Sequence, residues 1–131
     1  MAAPTVSRAT LRRTLARRLR MPFAQRIGNS STLTGTPTTT ALRDSSKLAQ
    51  ADDFWNASYV YLVDGTAIGD VRYIDDFRDD NNEIVLLEPL SGTPGSGNTY
   101  EIHSRWSAAD LHDAIDHAID KAFPFFYSTT V

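Results

Sequence analysis

From Trp55 onward, the apolar residues of this chain recur with a period of two. Alternation of that kind belongs to extended backbone, whose successive side chains point to opposite faces. Tyr59–Val63 (YVYLV) reads as a strand, and Asp64-Gly65 supplies its turn. Asp70–Ile74 (DVRYI) reads as a second strand, Asp75–Asn82 (DDFRDDNN) as a polar turn and Glu83–Leu87 (EIVLL) as a third strand. Gly92–Gly97 (GTPGSG) reads as a loop and Tyr100–His103 as the last strand. Short strands divided by turn signals confine this stretch to a small antiparallel sheet or barrel. Trp55 is expected in its core.

The chain then changes to a helical period. Ser107 opens the helix, and Asp110 three residues later completes a capping box. Ala108, Leu111, Ile115, Ile119 and Ala122 share one face, while His112, Asp113, Asp116, His117 and Asp120 share the other. The helix is expected to end in a knot of aromatics around Pro124. Phe123, Phe125, Phe126 and Tyr127 either pack on a neighbouring subunit or fold back over their own sheet.

At the other end, Ser7 caps a helix beginning SRATLRRTLARRLR, and Pro22 stops it. Its apolar stripe, Leu11, Leu15 and Leu19, is narrow for a helix that buries one side in a core. Arg8, Arg12, Arg13, Arg17, Arg18 and Arg20 surround the stripe. The pattern is that of a helix lying in a groove or across a charged surface. Residues 28–42 are rich in Gly, Ser, Thr and Pro, which suits a linker, or an edge strand because Thr tolerates extended backbone. The reading adopted is an extended arm ending in a short strand around Thr38–Leu42. The expected organisation is α+β: a basic helix or docking arm over 1–27, an extended linker arm over 28–53, and a β-module with its C-terminal helix over 54–131.

Charge is distributed unevenly. The net charge of −3 conceals eight arginines and no acidic residue in positions 1–43, against five basic and sixteen acidic residues in 44–131. Such polarity suits a partner of matching polarity. An Arg-rich, acid-free N-terminus is also the composition of a transit peptide. Cysteine is absent, which excludes disulfides and cysteine-based metal sites. No run of about 18 apolar residues occurs, so no membrane-spanning helix is expected.

Motifs that carry chemistry are missing. Neither a G-x-x-x-x-G-K-[ST] nor a G-x-G-x-x-G loop is present. His112/Asp116 and Asp113/His117 are i, i+4 pairs with the spacing of helix-borne metal ligands, but no third ligand is evident. Asp75–Glu83 (DDFRDDNNE) concentrates carboxylates without the glycine and spacing of a calcium-binding EF-hand loop. No catalytic residue, metal or cofactor is therefore assigned, and the chain is read as a non-enzyme. Arginines beside a leucine stripe could also contact phosphates. No aromatics interleave with them and the rest of the chain is acidic, so docking on an acidic protein surface fits better.

The stretch from Phe54 to Pro124 resembles a recurring family of tailed-bacteriophage virion proteins. The resemblance is carried by WNASYVYLVDGT, GDVRYIDDF, EIVLLEPL and GNTYEIHSRWSAADLHDAIDHAIDKAF in that order. It implies a structural subunit of a phage particle, of the head–tail connector, neck or adaptor type. Such a subunit forms an oligomeric ring that docks on the portal or on tail components, with genome DNA passing through the lumen without specific binding. Its location is the virion, assembled in the host bacterial cytoplasm. Tail or fibre attachment, or DNA binding by the Arg-rich helix, are the alternatives. The residues expected to contact partners are Arg12, Arg13, Arg17, Arg18 and Arg20, with Leu11, Leu15 and Leu19 supplying apolar area, and Phe125 and Phe126.

Overall fold

The computed structural model of the chain describes residues 6–19, 31–104 and 106–127, with the side chains of the last helix described through residue 122. The element order is α1 (Arg8–Arg18), β1 (Ser31–Thr32), β2 (Ala41–Arg43), β3 (Tyr59–Leu62), β4 (Val71–Arg78), β5 (Glu83–Leu86), β6 (Thr99–His103) and α2 (Ala108–Tyr127). The strands form one open antiparallel sheet in the order β1-β6-β3-β4-β5-β2, so the fold is α+β. It is not a closed barrel. The segment after β1 meets the opposite edge strand through a backbone bond from Thr34 N to Arg43 O at 2.8 Å.

Alternation places Val60 and Leu62 of β3, Ile74 and Phe77 of β4, Ile84 and Leu86 of β5, and Tyr100 and Ile102 of β6 in one core. Trp55 is completely buried among them, as its position before β3 predicts, and its Nε1 donates to Gln50 Oε1 at 2.8 Å. The Asp64-Gly65 turn forms as read. Gly65 adopts φ +84°, and Asp64 accepts from Thr99 N at 2.7 Å, tying the turn to β6.

Two expectations are revised. The polar turn expected over 75–82 is mostly strand, since β4 runs on to Arg78. Ile74 and Phe77 both face inward although they lie three positions apart, and a strict period of two cannot do that. A register shift between Ile74 and Asp76 absorbs the extra residue and returns Phe77 to the core. The described part of the expected linker over 28–53 is not a tether. It supplies both edge strands, and Leu33, Leu42 and Leu48 are fully buried in the main core.

Both helix caps form as the sequence predicts. Ser7 Oγ accepts from Thr10 N at 3.2 Å, and Ser107 and Asp110 bond reciprocally at the start of α2. The second helix continues through Pro124 to Tyr127, beyond the expected stop. Arg20, Pro22 and the side chains of Phe125 and Phe126 lie outside the described residues.

Candidate functional site

The face of β6 that turns away from the core carries Glu101 and His103, because Tyr100 and Ile102 take the inward positions. An outward Glu and His on a small sheet would normally be wet. Here both are fully buried, because α1 and α2 lie over them. The helices run antiparallel: Arg8 bonds Asp116 near one end, Arg12 meets His112, and Ala16 packs on Leu111 further along.

Glu101 is the centre of this layer. Arg12 grips it with two prongs, Nε to Oε2 at 2.7 Å and Nη2 to Oε1 at 2.8 Å. Arg13 Nε adds a third bond to Oε1 at 3.0 Å. The two-pronged geometry is the one a planar guanidinium offers a carboxylate. The Arg12 guanidinium also sits 4.6 Å from the centre of the Tyr61 ring, a cation–π contact from the neighbouring strand β3. His103 Nε2 lies 3.3 Å from Glu101 Oε2.

Burial by itself would raise the Glu101 pKa. The adjoining His103 and the bonds and charge of Arg12 outweigh burial and bring it down to about 2. His112 is shifted in the opposite sense from a typical partner of a carboxylate. Burial, then the charges of Arg12 and Arg8, push its pKa below the ordinary value. The geometry agrees: Arg12 Nη1 donates to His112 Nε2 at 2.9 Å, so that nitrogen accepts and the proton sits on Nδ1. The assembly of Tyr61, Glu101, His112 and the two arginines is a clamp that fixes α1 to the sheet.

The sequence expectation of Arg12 as a surface contact is thereby corrected. Arg12 and Arg13 both bond a carboxylate of the same chain, 89 and 88 residues away. Arg12 is enclosed, so it is not available at the surface. Arg17 and Arg18 are exposed. The inner face of α1 is formed by Arg12 and Ala16. Glu101, Tyr61 and His103 are not among the residues the sequence assigns to a site.

Beside the clamp the two helices leave an open apolar cleft of about 380 Å³, lined by Leu11 and Leu15 from α1 and by Ala114, Ile115, Ala118 and Ile119 from α2. A second cleft of about 370 Å³ continues it past Ala114 to Leu19 and Trp106. Leu11, Leu19, Trp106 and Ile119 are 36%, 43%, 47% and 42% exposed, so apolar surface is left open here. Arg18 lines the first cleft, and Asp110 and Asp113 line the second.

No protein-family model and no curated protein matches the chain. Among solved structures, it is similar to a chain of the virion of a native gene transfer agent (GTA) particle, with a TM-score of 0.47 and 23% identity. That likeness covers 57% of this chain and 27% of the other. A likeness so partial carries no conclusion about function. Among the described residues, no group of three or more His, Cys, Asp or Glu could hold a metal ion, and no helix is long and apolar enough to cross a membrane.

Proposed function

We propose that this protein is a structural subunit of a phage-like particle, acting by docking on other protein chains at the head–tail junction as part of an oligomeric ring. The observation that carries the reading is the division of labour between the two helices and the sheet. The Arg12–Glu101 pair is buried and holds α1 in place, while the adjoining apolar cleft is left open. Apolar area on a rigid support is what a protein contact needs. The sequence resemblance over Phe54–Pro124 supports the particle role. Binding to nucleic acid is a weaker reading, because Arg8, Arg12 and Arg13 are already engaged by Asp116 and Glu101.

The test is fractionation of assembled particles followed by cryo-electron microscopy. The expected result is the chain in the particle fraction, in a ring between head and tail. Recovery of the chain solely as free protein from a host that makes complete particles would refute the reading.

A further inference from the structure

We infer that α1 is a releasable cover: it lifts off as a unit while the sheet stays folded, and lifting bares the apolar face of α2 beneath it. The inference rests on how the contacts of the fold are divided and is independent of the virion reading.

The contacts of α1 differ in kind from those that hold the sheet. Among the described residues, the main core is built from the strands and the segments between them, and no residue of α1 or α2 belongs to it. The apolar seat of α1 is a separate, small cluster in which Ala16 and Leu15 meet Leu111. Within α1 only Arg12 and Ala16 are buried. The rest of the attachment is largely ionic. The Arg8–Asp116 pair is half exposed, and such pairs contribute little. The Arg12–Glu101 pair is enclosed, and taking both charges out of water offsets most of what their attraction returns. Little apolar area and nearly cancelling ionic terms make α1 an easy unit to open. Strands β3, β4 and β6 instead share Val60, Ile74, Tyr100 and Ile102, all fully buried and joined by the backbone ladder.

Once off the sheet, α1 has little to keep it helical. It has 11 residues, short for a helix in water, and Arg8 with Arg12, and Arg13 with Arg17, set like charges one turn apart. Undocking and unwinding therefore coincide. The second helix keeps its place, because Ser107 and Ala108 are buried at its start and His112 packs edge-on against Tyr61 of β3, with ring centres 5.6 Å apart. Lifting then uncovers a row on α2 at steps of four, Leu111, Ile115 and Ile119, of which the first two are buried while α1 is seated.

The test is native-state hydrogen exchange of the full chain by NMR at rising, sub-denaturing urea, with Glu101→Gln beside the wild type. In the wild type the amides of residues 12–18 are expected to open at least about a hundredfold more often than those of β3 and β6, and with a weaker dependence on urea, because less surface is exposed. In Glu101→Gln, which takes the carboxylate from Arg12, residues 12–18 are expected to lose their protection while β3 and β6 stay protected. A wild type in which α1 and the strands share one opening constant overturns the inference, since α1 then leaves only with the whole fold. So does a wild-type α1 with no protection at all, which is no cover. A variant whose α1 and strands lose protection together overturns it too, as does one whose α1 stays as protected as in the wild type.

Discussion

Arg12 and Glu101, 89 residues apart in the chain, share two hydrogen bonds of 2.7 and 2.8 Å in a place where neither side chain touches solvent appreciably. One arginine from the basic end of the chain is thus neutralised by one glutamate from its acidic part. Removing either partner leaves an uncompensated charge in the interior, and that dominates the mutational response.

Glu101→Gln keeps the shape and removes the charge. It is expected to cost about 3–5 kcal/mol, because Arg12 stays buried without its carboxylate. Urea denaturation of the variant measures this. A midpoint equal to that of the wild type would show that the clamp contributes nothing to stability.

Acid should release the clamp. Glu101 falls from an ordinary 4.5 to about 2 on folding, so at intermediate pH the unfolded chain binds the proton that the folded chain refuses. The stabilisation is complete above pH 4.5 and disappears as pH falls towards 2. The wild type should lose on the order of 3 kcal/mol across that window, by linkage at about 1.4 kcal/mol per pH unit. Denaturant midpoints collected as a function of pH should show that slope, and Glu101→Gln should lack it.

His112 gives a second, milder response near neutrality. Its pKa is lowered on folding, so protonation favours the unfolded chain. Stability should decline as pH drops below 6.5, the ordinary value for this group. His112→Asn should flatten the curve between neutrality and the onset of the Glu101 effect. A His112 ring signal titrating at or above its ordinary value in NMR would contradict the assignment.

Trp55 has no exposed surface and packs edge-on against Phe54, with ring centres 4.8 Å apart. Trp55→Ala should cost about 3–5 kcal/mol through lost burial and the cavity left behind. An unchanged thermal midpoint would place the indole outside the core.

Gly65→Ala tests the turn between β3 and β4. The residue needs φ +84°, and an added Cβ would collide with the side chain of Asn98, which accepts from Gly95 N at 2.8 Å. The substitution is expected to cost more than about 1 kcal/mol by denaturant titration, whereas an alanine with room and ordinary φ would stabilise slightly.

The sequence by itself determined what depends on neighbours a few residues apart. The alternation in YVYLV, EIVLL and YEIH defined β3, β5 and β6, and the Ser7 and Ser107 caps set where the helices start, because these features are satisfied within one turn or one strand. Only the tertiary structure decided which residues meet across the chain. Phe77 is inward because the sheet had room for it and a register shift could rephase β4. Leu33, Leu42 and Leu48 joined the core because a small sheet needs its edges covered. Arg12, read from local pattern as a surface cation, turned inward because Glu101 was waiting on the far face of β6. A guanidinium is stable in the interior only where a carboxylate has been brought to it, and the pairing of strands and helices, not local sequence, brings it there.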